Sequence, residues 1–511
     1  MAEAKRSEAT RAEATRAASA SGCAAPAAHP VPDGVPISVT LPPAPPFTVG
    51  SVPRSWWRRP PVSDLSWQLT FRGLAWMQPL AARAAADGQA ASLAALVAQA
   101  VALHRNNPDP GTSTDGWDEG TALRRLETLN CLYALTRDER LRPAMAACVA
   151  VQFGPRYYGP PRTRVHNHGL LANLRVARAG QLLARRDWRD RALARIRAEA
   201  PLAWTARGTT WEQATAYQLA NLDLWTEAAE VLEADDPGDA TARLIRTLTA
   251  RARGVARWMT EPDGHLVQIG DSGRDRGLTH PQGTMRLFRD DEAGFVIGRW
   301  SWSDPATTYY TLRYGPPLRA HGHQDRGGVT WSTAGVRVVV DPGYYAYDPE
   351  SRFFDYQEAP EAHNVSRPAT GALAVDKHVR LVSVKAQSTA HAFKISDSLF
   401  GRSHTRTVNV NSRTRTLRVA DTYAGKGQQL QFWHLHEAWT LTRRSPGRLV
   451  FRHPAGRTLT LTTTGAVSAV RRGSSAPVAG WVFPHRHDSE PASQVTLRAT
   501  GSVLRTTLTV R

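Results

Sequence analysis

The chain has 511 residues, with 64 Lys plus Arg against 45 Asp plus Glu and a formal net charge of +19; it is too long for one ordinary domain and long enough to bury a large core. Only five of the basic residues are lysine, so guanidinium groups carry the charge; they bind carboxylate, sulfate or phosphate through paired hydrogen bonds and suit a polyanionic partner, although arginine-rich composition alone also gives a solvated basic surface. No run of about 18 apolar residues occurs, which excludes membrane insertion by a helix, no nucleic-acid module is recognisable, and Cys23, Cys131 and Cys148 lack C-x-x-C spacing, which argues against a disulfide framework and a thiolate zinc site.

Residues 1–45 are rich in Ala, Ser and Pro without apolar periodicity, and read as a disordered leader. They hold no continuous apolar segment of a signal peptide, so the chain as written reads as cytoplasmic, and as secreted if its true start lies elsewhere. Residues 46–265 follow a helical period. In "SLAALVAQAVALHRNN", Leu93, Leu96, Val97, Ala100 and Val101 fall on one face, and comparable stretches succeed one another with short breaks, as in antiparallel helical hairpins. Residues 266–511 switch to period two. "GFVIGRWSW", "TTYYTLRYG", "RTRTLRVADTY", "GRTLTLTTTG" and "VTLRATGSVLRTTLTV" are rich in Val, Thr, Tyr and Trp and follow one another without helices, which predicts an antiparallel sandwich in place of a parallel sheet.

Three motifs carry side chains suited to chemistry. "RVHNHGLLANL" opens an amphipathic helix and puts His166, Asn167 and His168 at its N-terminus, where free amides and the dipole favour an anion; Asn167 could equally serve as a helix cap. "GTTWEQATAYQLANLDLW" reads as a helix capped by Thr209 or Thr210, with Glu212 and Gln213 in its first turn and Tyr217 one turn past Gln213. In "HGHQDRGGVTWSTAGVRVVVDPG", an extended chain directs His321 and His323 to one face, a hairpin at "TAGV" returns the chain, and Asp341 emerges level with the histidines. His363 in "EAHNVS" follows a loop long enough to reach the same rim. His323, Asp341 and His363 form a ligand set suited to zinc or another divalent metal, against the simpler reading of histidines bonded to backbone carbonyls.

In this order, "GWDEGTALRRLETLN", "HNHGLLANL", "WEQATAYQ", "IGDSGR", "HGHQDRGGVTWSTAGVRVVVDPGYYAYD" and "EAHNVS" resemble the heparinase II/III-like polysaccharide lyases and their alginate-lyase relatives, over most of the chain after the leader. The resemblance implies an incomplete α/α toroid followed by an antiparallel β-sandwich, and cleavage of a uronic-acid-containing acidic polysaccharide or oligosaccharide by β-elimination. It implies that Asn167 binds the uronate carboxylate with help from His166 or His168, with Glu212 and Gln213 also in the substrate-binding set. It makes Tyr217 the general acid, and in a syn elimination also the base, with His321 as the other candidate base. It assigns a structural metal to His323, Asp341 and His363. This chain has His-Asn-His at 166–168 where members of the family often show Asn-Asn-His, and Gln324 where a small residue is usual. Two alternatives fit the same architecture. A glycoside hydrolase would need two carboxyl groups roughly 5 to 9.5 Å apart across the bond, for which Glu212, Asp118 and Asp271 are available; a polysaccharide-binding homologue would bind without turnover.

Overall fold

The structure is a computed structural model that describes residues 23–29, 31, 36–107, 116–154, 165, 167–279, 283–317, 320–425 and 427–511. His166 and most of the expected leader lie outside the described residues. The chain forms two compact units: the first runs to Ala203 and adds Leu224–Ile245 and Tyr347–Glu350, and the second comprises Trp204–Asp223, Arg246–Ala346 and Ser351–Arg511.

The period-3.6 segments become nine helices among the described residues before residue 260: α1 (Leu65–Arg72), α2 (Met77–Ala86), α3 (Ala90–Asn106), α4 (Glu119–Thr136), α5 (Arg142–Gln152), α6 (Asn167–Leu182), α7 (Arg186–Glu199), α8 (Thr215–Asp235) and α9 (Ala240–Trp258). Carboxylates start three of them, with Asp239 accepting from Ala242 N at the start of α9. Asp64 accepts from the backbone N–H groups of Ser66 and Trp67, and Asp118 from that of Thr121, which satisfies amide donors that a helix leaves open. The expected face of α3 is the buried one, with Leu96, Val97, Ala100 and Val101 inside. Burial of Leu96, Val97 and Val101 contributes roughly 1.5–3 kcal/mol each through removal from water. Arg175 on α6 donates to Glu127 on α4 at 2.8 Å and to Glu227 on α8 at 2.5 Å, which fastens three helices of this unit by one half-buried guanidinium.

Two expectations for the N-terminal region are corrected. The described part of residues 1–45 is tied down: Ile37 and Val39 are buried, and Ser38–Val39 pairs with Phe47–Thr48. Cys23 is bonded to Cys131, while Cys148 is a buried free thiol whose pKa burial pushes up to about 11. The cysteine spacing concealed this bond because the partners are 108 residues apart. Peptide mapping without reductant is expected to recover a Cys23–Cys131 cross-linked pair, and reduction to lower stability by about 2–5 kcal/mol; two free thiols at these positions in protein purified under oxidising conditions would refute the bond.

The second unit is built on antiparallel sheets. One has five strands in sequence order, β1 (Leu287–Asp290), β2 (Phe295–Arg299), β3 (Tyr309–Arg313), β4 (Val329–Thr333) and β5 (Val336–Val339). Ala334 and Gly335, at φ +57° and +78°, form the hairpin expected at "TAGV", with both turn residues in the left-handed region that a two-residue loop requires. An eight-stranded sheet runs in the spatial order Thr440–Ser445, Arg448–Arg452, Thr458–Thr463, Val503–Val510, Thr416–Tyr423, His404–Asn411, Ala390–Asp397 and Arg380–Ala386. A four-stranded sheet holds Ala466–Arg472, Ser493–Ala499, Gln429–His434 and Ser366–Pro368. One core joins all three, including Tyr310 and Trp331 from the first, Val408 and Leu417 from the second, and Trp433 and Val495 from the third. In the eight-stranded sheet strands such as His404–Asn411 alternate because inward residues interdigitate with the facing sheet while outward ones are more exposed; β2, β3 and β4 are buried on both faces, β2 and β3 meeting on the second a core that includes Val255 and Trp258 of α9.

Candidate active site

The site in the second unit starts from a glycine. Gly270, in "IGDSGR", has φ +62°, and a Cβ there would stand 2.4 Å from the carbonyl oxygen of His321 and 2.9 Å from that of Gln213. The bare backbone lets three segments meet: the N–H of Asp271 donates to His321 O at 2.9 Å, and that of His321 to Glu212 O at 3.2 Å. Residues 320–328 are therefore turn and coil, not the extended strand expected, because the backbone groups of His321 bond to Glu212 and Asp271 and join no sheet ladder.

The shared face expected for the two imidazoles nevertheless has a counterpart. Both meet one carboxylate. His321 Nδ1 lies 2.9 Å from Asp271 Oδ2, and His323 Nε2 lies 2.9 Å from Asp271 Oδ1. On its other side His321 Nε2 is 3.2 Å from Glu212 Oε2, so each ring nitrogen faces a carboxylate. Burial opposes charge on His321, but hydrogen bonding to Asp271 and Glu212 outweighs it and raises the imidazole pKa to about 9. Burial likewise works against the Asp271 anion, and the two histidines overcome it and bring that carboxyl down to about 2. The phenol ring of Tyr217 stacks on the His321 imidazole, with centroids 3.6 Å apart and planes 10° from parallel.

The segment before Tyr217 departs from the expected geometry. Helix α8 begins at Thr215, so Thr209 and Thr210 do not cap it and Glu212 and Gln213 precede it. Gln213 has φ +61°, a left-handed conformation costly for a residue with a Cβ, and this interrupts any earlier helical turn. The helix start is served instead by Ser272, whose Oγ accepts from Ala216 N at 2.9 Å and donates to Ile269 O at 2.8 Å. Glu212 is buried, and its Oε1 accepts from Asn221 Nδ2 at 2.7 Å.

Beyond Asp271, the donor atoms of His323, Asp341 and His363 lie within 4.8 Å of one another and are buried. His363 Nδ1 is 2.7 Å from Asp341 Oδ2. His323 Nδ1 and His363 Nε2 are buried with no hydrogen-bond partner among the described residues. Each histidine thus has one nitrogen against a carboxylate and the other available, the pattern by which carboxylates orient metal-binding imidazoles. The donor set and its orphaned nitrogens fit a divalent metal such as zinc.

In the first unit, Asn167 and His168 open α6, and Asn167 Oδ1 accepts from His168 N at 2.9 Å. Sequence reasoning missed Glu199 nearby. Its Oε1 is 3.3 Å from the position of a Cβ on Gly169, its Oε2 accepts from Asn173 Nδ2 at 3.3 Å, and burial raises its pKa to about 7 against the lowering effect of that hydrogen bond. Asp271 was legible only as a spare carboxylate; its signal was the glycine before it. Asp118, also offered for hydrolysis, is occupied as the cap of α4.

Residues 286–510 match the family model described as heparinase II/III-like, C-terminal. The crystal structure of a heparan sulfate lyase HepC mutant from Pedobacter heparinus has a TM-score of 0.64 at 15% identity, covering 98% of this chain and 88% of that one. The crystal structure of heparinase III has a TM-score of 0.74 at 14% identity, covering 91% of this chain and 80% of that one. Among curated proteins, none matches this chain in sequence. At these identities the structural likeness establishes the fold, an N-terminal α/α toroid followed by an antiparallel β-sandwich.

Proposed function

From the match of residues 286–510 to the heparinase II/III-like C-terminal model, we propose that this chain is a polysaccharide lyase that cleaves a uronic-acid-containing glycan by β-elimination. The observation that carries the reading is the stack of Tyr217 on an imidazole whose two nitrogens both face carboxylates. A histidine so held has no lone pair to offer a substrate, so the hydroxyl of Tyr217 is the acid and the base. In a syn elimination the phenolate takes the proton from C5 of the uronate, the C4–O4 bond breaks as the C4=C5 double bond forms, and the same oxygen returns the proton to O4. His321 holds the phenol in place and presents a positive ring beside it. Asn167, assisted by His166 or His168, binds the uronate carboxylate and stabilises the enolate charge, a role carried by the resemblance of "HNHGLLANL".

A hydrolase reading is disfavoured because Glu212 and Asp271, its two carboxylates in this unit, both point at one imidazole. The test is incubation of the purified chain with heparan sulfate, chondroitin sulfate, hyaluronan, alginate and bacterial capsular polymers, followed by ultraviolet absorbance of the unsaturated uronate. New reducing ends without that absorbance would establish hydrolysis; binding without either product would establish a non-catalytic homologue.

A divalent metal would be held by His323, Asp341 and His363 and would clamp the segments that bear them. Chelation is expected to lower stability by about 2.7 kcal/mol if the ion is normally present at a hundredfold its Kd, which is roughly 5–10 °C in melting temperature for a unit of this size. Elemental analysis finding no bound metal, together with an unchanged melt in chelator, would refute the clamp. Among the described residues no helix is long and apolar enough to cross a membrane, and the Cys23–Cys131 bond supports an oxidising compartment over the cytoplasm.

A further inference from the structure

The eight-stranded sheet of the second unit turns one face away from the core, and the pairing of its strands sets rows of side chains across that face. Arg448 stands opposite Thr462, Thr462 opposite Thr507, and Thr507 opposite Arg418. The row continues through Asn409 and Ala392 to Lys385. Directly opposed residues share a face, and this one is outward, because the alternate residues Leu449, Leu461, Leu508 and Val419 are buried. The adjoining row carries Arg505, Ala420, Thr407 and Lys394. Arg380, Arg443 and Arg452 hold outward positions toward the margins.

All the charge on this face has one sign. The eight strands contain two acidic residues, Asp397 and Asp421, and both point inward to His404. The eight outward cations make no ion pair among the described residues. Charges drawn in the chain's proportion of 64 basic to 45 acidic would give eight basic ones about once in seventy trials, so arginine-rich composition does not account for the face. Folding does not account for it either, since unpaired like charges repel one another. Thr460, Thr462, Thr507 and Thr509 set hydroxyl donors between the cations. The aromatic residues of these strands, Phe393, Tyr423 and Phe451, are buried, which leaves no ring on which a nucleic-acid base could stack, and no outward apolar side chain is larger than valine, which leaves little to enter a bilayer. Arg448, Arg418 and Lys385 are each three strands apart, so their row spans roughly 29 Å at 4.7–4.9 Å per strand, the reach of a chain and not of a single sugar.

We propose that this face is a second glycan-binding surface that holds a stretch of acidic polysaccharide, with sulfate or carboxylate groups on its arginines and lysines. It shares the acidic glycan of the lyase reading and none of its chemistry. The test is calorimetry with heparan sulfate, alginate and hyaluronan on the full chain carrying Tyr217→Phe, which keeps the polymer intact. Arg418→Gln, Arg448→Gln and Arg505→Gln together are expected to weaken polymer binding by about tenfold or more without changing the melting temperature, and Lys385→Gln with Lys394→Gln is an independent second variant expected to act in the same direction. Arg185→Gln, Arg186→Gln and Arg191→Gln, the same change of charge at exposed positions on α7, are expected to leave affinity within about twofold. Affinity for defined oligosaccharides is expected to rise with length up to about 29 Å. Undiminished binding in both face variants, an equal loss in the α7 variant, or tighter binding to duplex DNA or to phosphatidylserine vesicles than to any of the polysaccharides would each overturn the proposal. Polymer binding that the triple face variant abolishes, in a chain whose native form releases no unsaturated uronate, would support this proposal and end the lyase reading, so the two fail separately.

Discussion

Tyr217→Phe is expected to lower kcat by about 10²–10⁴-fold, the usual worth of a positioned acid–base group, with little change in KM or in the melting temperature. The substitution removes one oxygen and keeps the ring, so the stack on His321, at 3.6 Å between centroids, survives. The loss falls on the chemical step because, in the proposed elimination, the hydroxyl would act at C5 and O4 and supply little binding energy to the ground state. Solvent deuterium exchange at C5 sharpens the test. If the phenol is the base, the variant exchanges no proton; if His321 were the base, exchange would continue while cleavage stopped. Wild-type turnover by Tyr217→Phe on a polymer that the native chain degrades would end the assignment. Asn167→Ala is expected to raise KM as well as lower kcat, since a group that binds the carboxylate acts before and during the transition state.

How much of this was legible before the coordinates depended on the range of the interaction. The face of α3 and the hairpin at Ala334–Gly335 follow from periodicity and local turn chemistry, which a short window contains. The segment at His321 read as a strand because alternation is also local, whereas its true geometry is set by backbone bonds to Glu212 and Asp271, 109 and 50 residues away in sequence. Grouping His323, Asp341 and His363 succeeded because the hairpin fixes one separation and ligand chemistry restricts the other. The role of Asp271 could not be seen that way. Its one carboxylate links both histidines, a fact that depends on Gly270 allowing backbone to touch backbone. The disulfide failed for the same reason: pairing across 108 residues leaves no trace in spacing.

A buried ion network beneath these loops gives the second large effect. Arg406 and Asp421 are cross-strand partners in the eight-stranded sheet. Asp421 Oδ1 accepts from Arg406 Nε at 2.7 Å and faces His404 Nε2 at 2.9 Å, while Oδ2 accepts from Gln431 Nε2 at 2.6 Å. His404 Nδ1 reaches Asp397 Oδ2 at 2.7 Å. Arg406 Nη2 also donates to Asp421 Oδ2 at 3.0 Å, and Nη1 bonds Gly327 O at 2.5 Å and Asn364 O at 2.7 Å. Gly327 follows the His321–His323 segment and Asn364 adjoins His363, so the network anchors the loops that bear His323 and His363, two of the three residues that would hold a metal. Asp421→Asn removes the carboxylate that Arg406 and His404 share, leaves His404 with Asp397 alone and Arg406 with no acidic partner in this network, and is expected to cost about 3–5 kcal/mol.

Protonation of His404 supplies the second measurement on the same network. Burial disfavours its charge, but hydrogen bonds to Asp397 and Asp421 prevail and raise its pKa to about 9. A pKa raised on folding stabilises the folded chain fully below the unfolded value, and that contribution fades as pH rises from there through the folded value. His404 is therefore expected to contribute a loss of stability on the order of 3 kcal/mol between about pH 6.5, the unfolded imidazole value, and pH 9, and His321, raised to the same value, adds to the fall in melting temperature over that range. His404→Gln should be less stable at pH 6 and should close the gap with the native chain as the medium becomes alkaline, because a neutral amide has no proton to lose. Parallel melting curves for the two proteins across that range would show that the imidazole is neutral in the folded chain, and the anchoring of both loops would then rest on Arg406 and Asp421 alone.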